Sequence, residues 1–166
     1  MDEGRFDCMH LTLRSATNRD RAAIETLVFG ALAEYGLKSD PSGTDSDLQD
    51  IERSYLASGG MFDVLTDEAG RVVGSVGLLP LSGPVCELRK MYLAAPARGL
   101  GYGRLLLDHA LSRARELGFA RVVLETASVL REAVALYERY GFRRYTPEHV
   151  AARCDTAYFL DLSAGG

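Results

Sequence analysis

The chain has 166 residues, of which 47% are hydrophobic and 25% charged, and its formal net charge is −4. These values are typical of one globular domain, and no apolar run approaches the roughly 18 residues that cross a membrane. The acidic balance argues against a nucleic-acid-binding surface, and three dispersed cysteines argue against a disulfide framework or a zinc site. We therefore expect no metal, no nucleic acid partner and no membrane contact. Because the polar, acidic start of the chain is unlike a signal peptide, we expect a cytoplasmic protein.

Residues 1–8 are expected to form a flexible polar tail, and residues 9–163 to form a single domain. Apolar patterning predicts strands, in chain order, at 9–16, 61–67, 71–81, 84–94, 120–127, 142–146 and 153–162. Four helices are predicted: from Thr17 to Gly36, around Leu48, Ile51 and Tyr55, from a glycine-rich stretch to about Leu117, and after Ser128, which could cap it. Two of them end in Gly-Phe, a pattern typical of a helix C-terminus.

Three strands run together in the middle of this order, which excludes a doubly wound parallel sheet. The order predicts an α/β fold of the mixed α+β kind, in one layer of sheet with helices against it. We find no internal repeat, linker or second domain.

Three glycines stand at alternate positions in "ARGLGYGRLLLDHA", residues 97–110, immediately before a helix. A strand, a short glycine loop and a helix N-terminus form an anion site, because the first N–H groups of the helix have no partner within it. Bare glycine backbone lets a phosphate approach these groups, while Arg98 and Arg104 add positive charge. The plainer interpretation is a flexible helix start.

The spacing G-x-G-x-G differs from a dinucleotide-binding G-x-G-x-x-G, and the chain contains no P-loop and no kinase motif. What remains is R-x-x-G-x-G, formed by Arg98, Gly101 and Gly103. Together with "ELRKMYL" before it and "ALYERYGF" after it, this motif resembles the acetyl-CoA loop of the GCN5-related N-acetyltransferase (GNAT) superfamily. The resemblance covers residues 86–145 in motif and the N-terminal half in pattern only.

The resemblance implies a central, mostly antiparallel sheet of about six to seven strands flanked by about four helices. Its fourth and fifth strands would splay apart to admit acetyl-CoA. It also implies that the backbone of the loop holds the pyrophosphate and that strand 4 offers free amides to the pantetheine, one of which could polarise the thioester carbonyl. The loop residues are Arg98, Gly99, Leu100, Gly101, Tyr102, Gly103 and Arg104, and the strand residues are Met91, Tyr92 and Leu93.

Two residues are candidates for the chemistry of acetyl transfer to an amine. Glu87, eleven residues before Arg98, matches the position of a general base in one branch of the superfamily. It could instead form a surface ion pair with Arg89, two residues along the same strand. Tyr137 occupies the position of the usual general acid, although it also lies on an apolar helix stripe. A phenol is a weaker acid than a thiol, so a hydrogen bond to the leaving sulfur is its expected role.

Leu130 stands where many superfamily members have an asparagine that contacts CoA. Thr126 or Ser128 could supply that contact. The loop before the second short helix contains Asp40, Asp45, Asp47 and Asp50, which could attract a cationic amine or could serve as turn formers and caps.

We expect a small-molecule primary amine, cationic or amino-acid-like, as the acceptor, and dimers formed through the C-terminal strands. Three alternatives stay open: acetylation of a protein amine, a non-catalytic acetyl-CoA-binding domain, and an unrelated phosphate-ligand protein that uses the loop alone.

Overall fold

The computed structural model describes residues 10–162, so the predicted tail at 1–8 and the two end residues of the predicted domain, 9 and 163, lie outside it. Within this range seven strands form: β1 (Thr12–Ser15), β2 (Met61–Thr66), β3 (Val72–Pro80), β4 (Val85–Leu93), β5 (Arg121–Thr126), β6 (Arg143–Tyr145) and β7 (Thr156–Asp161). The α-helices of this range are α1 (Arg21–Glu34), α2 (Tyr102–Glu116) and α3 (Arg131–Arg139). The predicted second helix is a 3₁₀ turn at Ser46–Asp50 followed by a π turn at Glu52–Leu56.

The strands form one sheet in the order β1-β2-β3-β4-β5-β7-β6. All neighbours are antiparallel except β4 and β5, which are parallel. Their pairing ends where Glu87 lies opposite Val123, although β4 continues to Leu93 and β5 to Thr126. The mixed, mostly antiparallel sheet and the separation of strands 4 and 5 confirm the predicted fold.

A β-bulge interrupts β4 just beyond its last contact with β5. Ser75 of β3 lies opposite Tyr92 and Gly77 lies opposite Arg89, so β4 has one residue more than β3 between these pairs. Lys90 takes the bulge position with φ of 55°, and its carbonyl accepts a 2.6 Å hydrogen bond from the Ser75 hydroxyl. Sequence patterning gave no sign of the bulge, because a left-handed lysine has no sequence signature.

Hydrophobic clusters cover both faces of the sheet. On one face, α2 and α3 pack through residues such as Leu106, Leu107, Ala110 and Leu136. On the other face, α1 and the short helical turns pack Ile24, Leu48, Ile51 and Tyr55 against β2. The apolar residues used to predict the second helix are therefore buried, even though that segment is not a regular α-helix.

The helix ends agree with the Gly-Phe prediction. Gly118 and Gly141 have φ of 88° and 90°, and the N–H groups of Phe119 and Phe142 donate back to Ala114 and Tyr137.

The predicted cap of the last helix is wrong. α3 begins at Arg131 after Leu130, which provides no side-chain cap. The Ser128 N–H and hydroxyl instead donate to the Asp155 carboxylate, at 2.8 and 2.6 Å. That carboxylate is contributed by the segment before β7, so the competing contact could not be read from the local sequence.

Candidate functional site

Two connected spaces open where β4 leaves β5. The outer cleft, about 680 Å³, lies between α1, the end of β4 and α3, and is lined by Tyr35, Leu93, Arg98, Gly103, Leu106, Glu132 and Leu136 among others. The inner cavity, about 720 Å³, is lined by Glu87, Arg89, Lys90, Glu125, Thr126, Tyr137, Ala151, Arg153 and Cys154 among others. The two spaces share Met91, Tyr92, Leu130 and Ala133. The two spaces therefore adjoin at the gap between the strands, and we refer to them together as the channel.

The glycine loop lies at the mouth of the outer cleft. Gly99 and Gly101 have φ of 73° and 89°, which places both in the left-handed region, and Gly101 is the N-cap of α2. Leu105 is the first α2 residue whose N–H reaches a carbonyl one turn back, that of Gly101, at 3.2 Å. The first turn of α2 therefore presents N–H groups that the helix itself does not satisfy. A channel with a helix N-terminus at its mouth suits a long ligand with an anionic group.

Arg98 ties this loop to neighbouring elements. Its Nε donates to the Leu93 carbonyl at 2.9 Å, its Nη1 pairs with Glu34, and its guanidinium lies 5.9 Å from the centre of the Tyr35 ring. Arg98 thus lines the outer cleft while holding the loop against the end of β4 and the end of α1.

Replacing Gly101 by alanine should lower the free energy of unfolding by about 1–2 kcal/mol, because an L residue is strained at positive φ. A Cβ at this position would meet no atom within 4 Å, so backbone strain is the only expected cost. Gly30 of α1 is the matched control, since a Cβ there also meets nothing within 4 Å but the helical backbone favours alanine. Gly30→Ala should stabilise by about 0.5–1 kcal/mol. Urea unfolding of the two variants measures both values, and effects of the same sign would contradict the strain argument.

Glu87 lies on the wall of the inner cavity with its side chain 18% exposed. The ion pair with Arg89 is present, with Arg89 Nε 2.8 Å from Glu87 Oε1. Burial raises the pKa of the Glu87 carboxyl above its ordinary value; Arg89 opposes this rise, and the charge of Glu125 adds to it. A buried carboxylate with a raised pKa is suited to accept a proton near neutral pH.

Tyr137 reaches the inner cavity from α3 and is almost fully buried. Its ring packs on Phe142 and Tyr158, with ring centres 5.6 and 6.4 Å away. It is therefore both a core residue and a cavity residue. Burial raises the pKa of the Tyr137 phenol above its ordinary value, and the neighbouring Tyr92 makes a smaller contribution in the same direction. Such a phenol keeps its proton and acts as a hydrogen-bond donor.

A group of buried charges lies beside the inner cavity, which Lys90 and Arg153 line while Asp45 and Asp47 lie outside the lining. Asp45 accepts two 2.7 Å hydrogen bonds from the Arg153 guanidinium and lies 3.1 Å from Lys90 Nζ. Asp47 lies 3.2 Å from Lys90 Nζ and accepts a hydrogen bond from the Tyr55 hydroxyl. The hypothesis that Asp45 and Asp47 attract a cationic ligand is thus corrected, because buried partners already neutralise them.

The two other loop acids serve as turn formers and caps. The Asp40 carboxylate accepts the Thr44 N–H, and Asp50 accepts the Arg53 N–H.

The remaining predicted residues divide between the channel and the surface. Thr126 is buried in the inner cavity, and Leu130 lines both spaces with an apolar side chain. Ser128 lines neither space and is bonded to Asp155. Of the two residues suggested to replace the missing asparagine, the channel therefore contains Thr126 alone.

Sequence reasoning missed Lys90, Glu125, Arg153 and Cys154 in the inner cavity. Strand alternation could have found Glu125, since it lies two residues beyond Val123, the partner of Glu87. Between residues 10 and 162 no group of three His, Cys, Asp or Glu side chains is placed to hold a metal ion. No helix within that range is long and apolar enough to cross a membrane.

Comparison with known proteins gives consistent matches. The acetyltransferase (GNAT) family model matches residues 29–142. An Escherichia coli K12 protein named uncharacterized N-acetyltransferase YjgM is 41% identical over 135 residues, which cover 78% of this chain and 80% of that protein. A Schizosaccharomyces pombe protein, named uncharacterized N-acetyltransferase C1271.07c, is 32% identical over 130 residues with the same coverage.

Solved structures agree in fold. A GNAT-family acetyltransferase from Staphylococcus aureus Mu50 superposes with a TM-score of 0.85 at 24% identity, covering 92% of this chain and 99% of that chain. A phosphinothricin acetyltransferase from Sinorhizobium meliloti, solved in complex with AcCoA, superposes with a TM-score of 0.73 at 22% identity, covering 92% and 89%.

Proposed function

Because the chain belongs to the acetyltransferase (GNAT) family and is an acyltransferase, we propose that it moves the acetyl group of acetyl-CoA directly to the primary amine of a small molecule. One observation carries the proposal. The outer cleft and the inner cavity adjoin at Met91, Tyr92, Leu130 and Ala133, with Arg98 and Gly103 of the glycine loop lining the first and Glu87 and Tyr137 lining the second. A donor and an acceptor entering from opposite ends would meet at that point.

The residues of the outer cleft suit acetyl-CoA. The N–H groups from Gly99 to Arg104 would hold the pyrophosphate, and the end of β4 from Met91 to Leu93, beyond its pairing with β5, would face the pantetheine. The apolar Leu130 and Leu136 would pack along it. When bound, acetyl-CoA supplies an acetyl thioester that an uncharged amine can attack.

The residues of the inner cavity would manage the protons. An alkylamine has a pKa near 10 and arrives as an ammonium, which is not a nucleophile. The Glu87 carboxylate would take the first proton, directly or through water, and its raised pKa helps it to do so. The Tyr137 hydroxyl would donate a hydrogen bond to the sulfur as charge develops there.

A small acceptor suits this cavity better than a protein side chain. Two chain segments cover it, because Leu37 and Thr44 come from the loop after α1, and Ala151, Arg153 and Cys154 come from the segment before β7. Arg153 and Asp45 join the two segments. A protein substrate would have to open this contact to reach Glu87.

A screen of purified protein with acetyl-CoA and primary amines tests the proposal by free-thiol release. Suitable amines are n-butylamine, putrescine, tyramine and lysine methyl ester, with the corresponding alcohols as controls. We expect amine-dependent thiol release. If no amine increases thiol release, the proposed acceptor is refuted. If acetyl-CoA also fails to raise the melting temperature, the proposed donor is refuted as well.

Replacing Tyr137 by phenylalanine should lower kcat by about tenfold, because a hydrogen bond to a charged group contributes about 1.5 kcal/mol and about 1.4 kcal/mol is a factor of ten in rate. The acetyl-CoA dissociation constant should stay within about twofold, since the ring that lines the channel is retained. Steady-state rates at saturating substrates and calorimetric titration of acetyl-CoA measure the two effects. An unchanged kcat would exclude the Tyr137 hydroxyl from the mechanism.

We also propose a cytoplasmic homodimer. Cys86 and Cys154 are free thiols, which suits a reducing compartment. On the sheet face away from α2, Phe159 and Tyr145 of the C-terminal strands are only half-buried, and their rings pack on each other with centres 5.9 Å apart. Sedimentation equilibrium tests the dimer, and a monomer at micromolar concentration would refute it.

A further inference from the structure

We propose that Glu125 is the residue that binds the acceptor as an ammonium ion, so that this cavity selects amines that are cationic in solution. The inference rests on the proposed function, because it assigns a positioning role within the same reaction. In this proposal Glu125 binds the positively charged ammonium group of the acceptor, and Glu87 removes a proton from it.

Glu125 and Glu87 face the same cavity from neighbouring strands. Glu87 lies opposite Val123 in the parallel ladder, and Glu125 is two residues further along β5, so its side chain emerges on the same face as that of Val123. The two carboxylates are therefore diagonal neighbours at the point where the strands separate. Both line the inner cavity, and the Glu125 charge is strong enough there to raise the pKa of Glu87.

The Glu125 carboxylate is positioned by a backbone hydrogen bond and forms no ion pair within the described residues. Its Oε1 accepts the Ala151 N–H at 2.7 Å, which fixes the carboxylate on the cavity wall. The other carboxylate that lines this cavity, Glu87, pairs with Arg89. The neighbouring carboxylates outside the lining are also paired: Asp45 with Arg153 and Lys90, and Asp47 with Lys90. In the described range no Lys, Arg or His nitrogen lies within 4.0 Å of a Glu125 carboxylate oxygen.

The charges of the cavity are therefore unbalanced by one. The lining carboxylates Glu87 and Glu125, together with Asp45 and Asp47 outside the lining, share the three cations Arg89, Lys90 and Arg153. The carboxylate of this group without a cationic partner is Glu125. An ammonium ion supplies the missing positive charge and three N–H donors. A carboxylate on the acceptor at this position would instead meet Glu125 and be repelled.

The protons balance as follows. The acceptor ammonium donates hydrogen bonds to the Glu125 carboxylate, which takes no part in the proton transfer. One proton passes from the ammonium to Glu87, giving a neutral amine whose lone pair forms the N–C bond while the C–S bond breaks. The nitrogen loses a second proton as the amide forms, and this proton passes, directly or through water, to the leaving CoA thiolate to give the free thiol. The proton on Glu87 is then lost to solvent.

Calorimetric titration of amines into CoA-saturated protein tests the inference independently of turnover. The probes are n-butylamine, putrescine, tyramine and lysine methyl ester, each at pH 7. Glu125→Gln keeps an oxygen that can accept the Ala151 N–H but removes the charge. Glu68→Gln is the matched control, because Glu68 is exposed in the β2–β3 turn.

We expect the wild type and Glu68→Gln to bind at least one probe equally. Glu125→Gln should bind it about tenfold or more weakly, as expected for a lost charge-assisted hydrogen bond. With amines that turn over, KM for the amine should rise by the same factor while kcat changes less than threefold. The difference in amine affinity between wild type and Glu125→Gln should shrink as the pH rises above the amine pKa, where the neutral amine prevails.

Two results would overturn the inference. One is equal amine affinity of wild type and Glu125→Gln, and the other is wild-type protein that binds none of the probes. Thiol release from acetyl-CoA is measured separately, so normal turnover with equal amine affinities would refute the role of Glu125 and leave the proposed function standing. A folded variant is verified by its urea midpoint, which should match that of Glu68→Gln.

Discussion

Replacing Asp45 by asparagine should lower the free energy of unfolding by about 3–5 kcal/mol, because it leaves the buried cation Arg153 without its charged partner. The Asp45 side chain is fully buried, and Arg153 is only 12% exposed. Desolvation alone would raise the pKa of Asp45, but the hydrogen bonds from Arg153 and from the Asp40 N–H, with the charge of Lys90, outweigh it and lower that pKa to about 2.

The same lowered pKa fixes a pH dependence of stability. The folded-state pKa of Asp45 is about 2 and lies below the ordinary value near 3.9. Its ionised form therefore stabilises the fold at pH values above about 4, and this contribution is lost as the pH falls towards 2. In the Asp45→Asn variant this part of the acid sensitivity should be missing.

Urea unfolding measures the effect, and Asp161→Asn is the matched control. Asp161 pairs with Arg121 at 2.7 Å, but both side chains are about half exposed, so its loss should cost less than about 1 kcal/mol. The double variant Asp45→Asn/Arg153→Met should lose less than the sum of its two single changes, since it leaves no unpaired guanidinium. Equal destabilisation by Asp45→Asn and Asp161→Asn would contradict the buried-pair argument.

Replacing Glu87 by glutamine should lower kcat/KM for the amine by about a hundredfold near neutral pH, the effect typical of a lost general base. Glu87 accepts a proton only when it is ionised. Because burial raises its pKa, activity of the wild type should fall as the pH drops through a value above the ordinary glutamate pKa of about 4.3. The glutamine variant should lack this acidic limb and retain only the rise caused by deprotonation of the amine itself.

Arg89→Met is the control that separates catalysis from the ion pair. It removes the 2.8 Å contact with Glu87 but keeps the carboxylate. Since Arg89 lowers the pKa of Glu87, the acidic limb of Arg89→Met should persist and move to higher pH. If Glu87 only partners Arg89, both variants would lose stability while their pH–rate profiles stayed the same as that of the wild type.

The parts of the fold that sequence could predict are those set by local chemistry. Apolar alternation placed each strand within about three residues of its ends, and the paired glycines and phenylalanines after α2 and α3 gave the helix ends. The glycine loop could be predicted for the same reason. Gly99 and Gly101 have positive φ, and glycine is the residue type that adopts this conformation without strain.

Contacts between distant segments could not be predicted. Asp45 and Arg153 are 108 residues apart, and nothing in either neighbourhood marks the other as its partner. From the sequence alone, Asp45 and Asp47 could have been free to bind a ligand. The structure shows that Lys90 and Arg153 already pair with them. The prediction that Ser128 caps α3 was wrong for the same reason. The Ser128 hydroxyl bonds to the Asp155 carboxylate, which lies 27 residues further along the chain.

Because of the bulge at Lys90, the side chains of β4 alternate between the two faces of the sheet differently before and after this residue. Before it, Glu87 faces the inner cavity while Cys86 and Leu88 face α2; after it, Met91 and Leu93 face α2 while Tyr92 faces α1. An unbroken pleat would put Glu87 and Met91 on one side and Tyr92 on the other. One inserted residue thus reverses which face of the sheet the odd-numbered side chains of β4 point to, so that Glu87 faces the inner cavity while Met91 and Leu93 pack towards α2.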